Sequence, residues 1–596
     1  MKKTSKKVIA VTLSASMLLG GSMTAMAATT NPDISQREID HKTAAKNIAA
    51  QGMVLMENKN NSLPISAKKG TKVALFGQGV YNTIKGGTGS GAVNQRDNVT
   101  VQQGFENAGY DIVDIDFVNQ MHERWTAEGG GTSQGWSSKW VNEPVYEDYD
   151  GAVEKIQAAA AQTDTAIYVI ARNSGEGADR SAGKGDYLLS DDEEANLKLL
   201  GQTFDNVVVV LNVGGVIDTK FFNEIEGLDS MLLMSQAGMT GGDALVEVLN
   251  GTVNPSGKLT DTWPVNFSDN PSSAGFANQD GNTAQELYND DIFVGYRYYD
   301  TFGKDVSYAF GYGGSYTTFA MSTKSVKADK DKVTVQVKVK NTGSVSGKEV
   351  AEVYFSAPDG SIEKPYQELA AYQKVEVKAG ETKEVTLSFD TDEMASYDEN
   401  NEQYVLEDGT YKIRVGNSSR NTVEAADIKL DKDVVTEKAE NALGMTKDKM
   451  QTGTYTADHV VAEGGAYKMD ILDEKSTGYG TGITPSTEGL SAAKASLSLA
   501  ASSFEKTETH AYTDGKVTSY ISEDKDSDSN AYSKNADLEK ETKKTVKAAK
   551  DATLVDVVNG KLTMEELVAN MSSTELADLV EGGTYDGLSA GSSSSA

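Results

Sequence analysis

Three unbroken apolar runs set the tightest limit on how this chain can fold: Thr165-Ala-Ile-Tyr-Val-Ile-Ala171, Val207-Val-Val-Val-Leu-Asn212 and Ser230-Met-Leu-Leu-Met-Ser235. A strand that is apolar at successive positions must be covered on both faces. Lys72–Gly77 and Tyr110–Ile115 read the same way. Helical patterns lie between them. One covers His41–Asn58, with Ala45, Ile48, Ala49 and Val54 on its apolar side. Another starts at Ser190, where Ser190-x-x-Glu193 forms a capping box before Ala195, Leu197 and Leu200. Alternation of this kind over residues 40–265 predicts an α/β fold, a mostly parallel sheet flanked by helices.

From about residue 315 the period drops to two. Val333, Val335, Val337 and Val339 alternate with Thr334, Gln336 and Lys338, and Glu349–Phe355, Glu384–Phe389 and Thr410–Val415 repeat the pattern. Short alternating strands with turns between them predict an antiparallel β-sandwich over 315–430. Residues 431–535 are rich in Ser, Thr, Asp, Lys and Ala and read as a polar linker or insertion. Ala536–Ala549 has a charged helical pattern, and two capping boxes follow, Thr563-x-x-Glu566 and Ser572-x-x-Glu575. Their apolar faces have nothing left to pack on before Ala596, so a further domain is expected beyond them.

Composition removes several function classes. The 596 residues carry a net charge of −32, which disfavours nucleic acid and anionic lipid as partners. With 0 cysteines and 4 histidines, and no HExxH, neither a thiolate nucleophile nor a Cys- or His-built metal centre is expected. The N-terminus reads as an export signal over residues 1–27: Lys2, Lys3, Lys6 and Lys7, an apolar stretch Val8–Gly20, then Ala25-Met26-Ala27. That stretch is too short to span a bilayer, and no later run of about 18 apolar residues occurs. A secreted protein with no membrane span is expected.

Ligands of open parallel sheets bind beyond the carboxyl ends of the strands. Gly77-Gln-Gly79 and Gly86-Gly-Thr-Gly-Ser-Gly91 lie there. The third glycine of GxGxxG is missing and no GxxxxGK[ST] occurs, which argues against a nucleotide. The second stretch is either a backbone surface for a bulky polar ligand or a plain loop. After the strand at 165–171 comes Arg172-Asn-Ser-Gly-Glu-Gly-Ala-Asp-Arg180. Glycines on both sides of Glu176 allow its carboxylate to be presented to a ligand, though a solvated loop residue gives the same pattern. Asp179 and Arg180 are spaced to pair and brace the loop. Trp125, Trp136 and Trp140 are either sugar platforms or packing anchors.

Many separate motifs, in one order, resemble glycoside hydrolase family 3. They are Ala49-Ala-Gln-Gly-Met-Val-Leu-Met-Glu-Asn58 with Leu63-Pro64, Ser174-Gly-Glu-Gly-Ala-Asp-Arg180, Val207–Gly215, Ala237–Gly242 and Asn254-Pro-Ser-Gly-Lys-Leu259. Ile292–Asp300 and Phe310–Phe319 resemble the junction to that family's fibronectin-type-III-like domain, and Lys364–Leu369 and Arg414–Arg420 resemble that domain itself. The resemblance covers residues 38–430. It implies an α/β sandwich domain over 28–290, a junction over 291–314 and the fibronectin-III-like domain over 315–430.

In most of the family a TIM barrel precedes the sandwich domain. Here 536–596 resembles the start of that barrel, which implies the circularly permuted order with the barrel truncated. The resemblance implies a retaining hydrolase acting on terminal β-glucosidic or β-xylosidic bonds, with no cofactor. Glu176 matches the family's acid/base, and the nucleophilic aspartate would lie on the absent barrel. The chain is therefore expected to be incomplete and inactive alone. The substrate would be an oligosaccharide or β-glucoside, with a barrel-bearing partner chain to complete the site. The alternative is a non-catalytic sugar-binding or scaffold module, or half of a split enzyme.

Overall fold

The computed structural model describes residues 33–88, 95–130, 141–173, 180–276, 281, 290–439, 487–504, 508–510, 518–522, 542–546, 553–569 and 571. The chain divides into two compact units, residues 37–510 and residues 1–36 with 511–596.

The larger unit opens with helix α1 (Gln36–Gly52) and strand β1 (Val54–Asn58). The helical spacing read over His41–Asn58 thus ends early. Met53 to Met56 is an unbroken apolar run, buried throughout, and it runs antiparallel to β6 (Ser230–Leu233). The other strands are β2 (Lys72–Phe76), β3 (Asp111–Ile112), β4 (Thr165–Arg172) and β5 (Asn206–Val213), in the order β1-β6-β5-β4-β2-β3. All pairings except β1 with β6 are parallel. β4 and β5 are buried along nearly their whole length, which is why their sequence shows no alternation. β3 is shorter than the run read at Tyr110–Ile115, because Asp114 leaves the sheet and both its carboxylate oxygens accept from the Leu75 amide at 3.0 and 3.1 Å.

Helices α2 (Val101–Ala108), α3 (Ile115–Ala127), α4 (Ala152–Ala160), α5 (Asp191–Thr203), α6 (Phe221–Glu224) and α7 (Gly241–Leu249) complete this layer. The capping box at Ser190 forms as the sequence predicts: the Glu193 amide donates to Ser190 Oγ at 3.1 Å and the Ser190 amide to Glu193 Oε2 at 2.9 Å. β7 (Trp263–Pro264), helix α8 (Tyr296–Thr301) and β8 (Val306–Tyr308) lead to the sandwich. At this join Arg420 Nε donates to Asp300 Oδ1 at 2.9 Å, both side chains being buried.

The sandwich takes β9 (Phe319–Ala328), β10 (Lys332–Asn341), β11 (Gly347–Ser356), β12 (Glu368–Val377), β13 (Thr382–Asp390), β14 (Ser396–Asp398), β15 (Gln403–Leu406), β16 (Gly409–Ser418) and β17 (Asn421–Leu430). Val333, Val335, Val337 and Val339 are fully buried and the residues between them are not, as the period-two pattern predicts.

The sandwich does not stop at 430. β18 (Val434–Ala439) pairs with β15. The stretch read as a polar linker or insertion supplies β19 (Thr487–Ala492), β20 (Ala495–Leu499) and β21 (Glu508–His510). β19 runs parallel to β9 and β20 parallel to β17, so one short segment adds an edge strand to each sheet. An edge strand needs apolar side chains on one face only, and Leu490, Leu497 and Leu499 supply them here. In the smaller unit β22 (Thr518–Ser522) pairs in parallel with β23 (Thr542–Val546). The helical pattern read over Ala536–Ala549 is therefore a strand across 542–546. Two short helices, α9 (Leu554–Val558) and α10 (Met564–Ala569), follow. α10 carries the expected box, with the Glu566 amide donating to Thr563 Oγ1 at 3.2 Å and the Thr563 amide to Glu566 Oε2 at 2.7 Å. Ser572 and Glu575 lie outside the described residues.

Candidate active site

Parallel pairing puts the carboxyl ends of β2, β4, β5 and β6 on one edge. Each exit is fixed by a different device. At β2, Gly77 has φ 90°, and a Cβ there would sit 2.5 Å from the Val169 carbonyl oxygen; one on Gly79 would sit 2.4 Å from Val169 Cγ1. The Gly77-Gln-Gly79 glycines therefore serve close packing of β2 on β4. Gln78 is inserted between Val141 O and Trp125 Nε1, at 2.9 and 3.0 Å in the amide orientation that satisfies both. Trp125 is thus a packing residue, as is the buried Trp263, while Trp136 and Trp140 lie outside the described residues.

At β5, Asn212 is wholly buried. It accepts from the Ile84 amide at 2.6 Å and donates to Ile84 O at 2.8 Å and Ser235 O at 2.7 Å. One amide thus ties the exits of β2, β5 and β6. Of the glycine-rich stretch at 86–91, Gly86 to Thr88 are described, and Asn173 Nδ2 donates to Thr88 Oγ1 at 2.9 Å.

At β4, Arg172 forms a bidentate pair with Glu193, each contact 2.6 Å. Further along, Arg180 pairs with Asp186, whose other oxygen accepts from the Ser181 amide at 2.5 Å, and Arg180 Nη2 donates to Val216 O at 3.3 Å. Among the described residues Arg180 is braced by Asp186. Glu176 and Asp179 lie outside those residues, between Asn173 and Arg180.

Behind this edge Glu143 is buried, accepting from Tyr81 Oη at 3.1 Å and Tyr146 Oη at 2.6 Å. Burial raises its carboxyl to about 7, against the opposing hydrogen bonds. The adjoining cavity, lined by Gln78, Glu143, Tyr168, Arg172 and Glu193 among others, measures about 20 Å³, room for a water molecule and not for a sugar. The sequence reading missed Asn212, Glu143 and the Arg172–Glu193 pair. The one available signal was an Asn closing an otherwise apolar run. Among the described residues no group of three or more His, Asp or Glu could hold a metal ion, and no helix is long and apolar enough to cross a membrane.

The same architecture is found in known proteins. Residues 53–296 match the glycosyl hydrolase family 3 C-terminal domain and residues 349–419 the fibronectin type III-like domain. The chain thus carries a family 3 C-terminal domain followed by a fibronectin type III-like domain. It has β-glucosidase homologues. It is 34% identical over 470 residues to β-glucosidase A of Butyrivibrio fibrisolvens, covering 71% of this chain and 55% of that protein. It is 38% identical over 409 residues to a β-glucosidase of Ruminococcus albus, covering 67% and 42%. Among solved structures, β-glucosidase 3B of Thermotoga neapolitana superposes with a TM-score of 0.59 at 37% identity, covering 66% of this chain and 54% of that one. The chain spans about half the length of the curated relatives it matches.

Proposed function

We propose that this protein is the acid/base-bearing part of a secreted, retaining glycoside hydrolase that cleaves terminal β-glucosidic or β-xylosidic bonds, with Glu176 as the acid/base. The observation that carries this reading is the match of residues 53–296 to the glycosyl hydrolase family 3 C-terminal domain, a match that includes Glu176, which follows β4 in the sequence. A retaining reaction needs two carboxyl groups about 5–5.5 Å apart. One attacks the anomeric carbon. The other protonates the departing glycosidic oxygen and then takes a proton from the water that releases the sugar. Glu176 fills the second role. The nucleophile comes from a barrel-bearing partner. The export signal at residues 1–27 supports an extracellular setting, where oligosaccharides are available.

The test is complementation. The full chain is mixed with the portion of Thermotoga neapolitana β-glucosidase 3B that lies outside the match, and 4-nitrophenyl β-glucoside is supplied. Turnover is expected from the mixture, from neither component alone, and not with Glu176→Gln. An inactive mixture, or a Glu176→Gln mixture of undiminished rate, rejects the proposal. Calorimetric binding of cellobiose without turnover in any mixture would favour a sugar-binding module.

A further inference from the structure

We infer that helix α1 is a strap held to the α/β domain by charge, closed at low ionic strength and released over residues 37–48 when those charges are screened. Of its 17 residues only Ala50 is buried. Glu38, Lys42 and Lys46 recur every four residues and so share one face. That face is turned to the body of the domain. Arg96 donates to Glu38 Oε1 through Nη2 at 2.8 Å and Nε at 3.1 Å, Lys42 Nζ donates to Asp97 Oδ2 at 2.5 Å, and Lys46 Nζ donates to Glu247 Oε1 at 2.5 Å. The opposite face carries Ile48, which is 71% exposed. An amphipathic helix seats its apolar side and shows its polar side to water. Over this stretch α1 does the reverse.

The last turn is anchored differently. Ala49 and Ala50 pack on the main core. Lys348 Nζ donates to Gln51 Oε1 at 2.6 Å and Lys374 Nζ to Gln51 O at 2.9 Å, so two strands of the sandwich, β11 and β12, grip the helix end. The change from charged to apolar seating falls between Ile48 and Ala49. Partly exposed ion pairs hold weakly, and salt weakens them further, because the screening length drops from about 10 Å at 0.1 M to about 3 Å at 1 M. Isolated helices shorter than about 12–15 residues are marginal in water. Loss of the pairs therefore frees the segment and unwinds it in one step. A helix rises about 1.5 Å per residue and an extended chain about 3.3–3.6 Å, so release roughly doubles the reach of the chain that enters the domain while β1 stays in its sheet.

Hydrogen–deuterium exchange of the full chain, read by mass spectrometry, tests this. From about 20 mM to about 1 M sodium chloride, the amides of residues 39–48 are expected to exchange at least about tenfold faster. α7, buried along nearly its whole length, should keep its rate. Lys46→Met combined with Glu247→Leu gives the helix an apolar seat and should remove most of the salt response while α1 stays protected. Lys42→Gln combined with Lys46→Gln should speed the exchange of α1 at low salt and leave the urea midpoint unchanged. An α1 that exchanges equally slowly at both salt concentrations, one already unprotected at the lower, or one that opens only together with α7 overturns the strap. An undiminished salt response in the apolar variant, or an unchanged low-salt rate in the double glutamine variant, overturns it too, since charge would then not be what holds the helix.

Discussion

Asn212 and Ile84 exchange two hydrogen bonds, side-chain amide to backbone, at 2.6 and 2.8 Å, in a part of the molecule with no access to water. The third bond of Asn212, to Ser235 O at 2.7 Å, makes it the knot of the sheet's carboxyl edge. Asn212→Leu would leave one amide and two carbonyls without partners. A loss of about 2–4 kcal/mol in unfolding free energy follows. Asn212→Asp should be no better, since an ionised carboxylate cannot donate to the two carbonyls. Urea titration of both variants checks this; a loss below about 0.5 kcal/mol in either would refute the assignment.

Burial raises Glu57, Asp114, Glu143 and Glu352 each to about 7. The folded chain therefore holds more protons than the unfolded chain between the ordinary carboxyl value and about 7. Stability is greatest below that window and falls as pH rises through it, with a slope of at most about 1.4 kcal/mol per pH unit for each group. The urea midpoint should be higher at pH 5.5 than at pH 8. Glu143→Gln should flatten the slope, and a midpoint that climbs between those two pH values would contradict the whole account.

α2 and α7 meet glycine to glycine. A Cβ on Gly242 would fall 2.0 Å from Thr100 O, and one on Gly104 would fall 2.3 Å from Gly242 O. Backbone cannot yield cheaply, so Gly242→Ala should cost about 1–3 kcal/mol. At Gly52, the end of α1, an added methyl would have no atom within 4 Å, so Gly52→Ala serves as the neutral control. Equal melting temperatures for the two alanine variants would count against close packing here.

The join between the two domains depends on a buried charge. Arg420 reaches Asp300, Tyr299 O at 3.3 Å and Lys304 O at 2.6 Å, and Asp300 also accepts from Gln367 Nε2 at 3.1 Å. Arg420→Met strands a carboxylate in the interior, at a cost of about 3–5 kcal/mol. Arg420→Met combined with Asp300→Leu should be less damaging than Arg420→Met alone. Calorimetric melting of the three variants decides, and a double variant worse than the single one would show that the carboxylate was never the problem.

These relationships mark what sequence could and could not convey. Unbroken apolar runs announced β4, β5 and β6 because burial on both faces leaves no alternation to confuse. The valines of β10 announced the sandwich for the opposite reason. Local chemistry was also readable: the capping boxes at Ser190 and Thr563 needed only residues three apart. The misreadings share one cause, that tertiary partners overrode local pattern. Val54–Asn58 continues a helical spacing but finds β6, and Thr542–Val546 finds β22. Asn212 with Ile84 and Arg172 with Glu193 are long-range pairs of ordinary residues, and nothing in the flanking sequence singles them out. The role proposed for Glu176 rests on its glycine-flanked motif and the family resemblance that motif carries, and Glu176 lies outside the described residues.

The strands at 487–499 cap the open flanks of both sandwich sheets at once. Removing that stretch would bare two ladders of unpaired amides and carbonyls, on β9 and on β17, each able to recruit the like flank of another molecule. A stretch that looks dispensable by composition is thus a safeguard of solubility: a version of the protein trimmed at the end of β18 should form clumps in concentrated solution rather than merely lose thermal resistance.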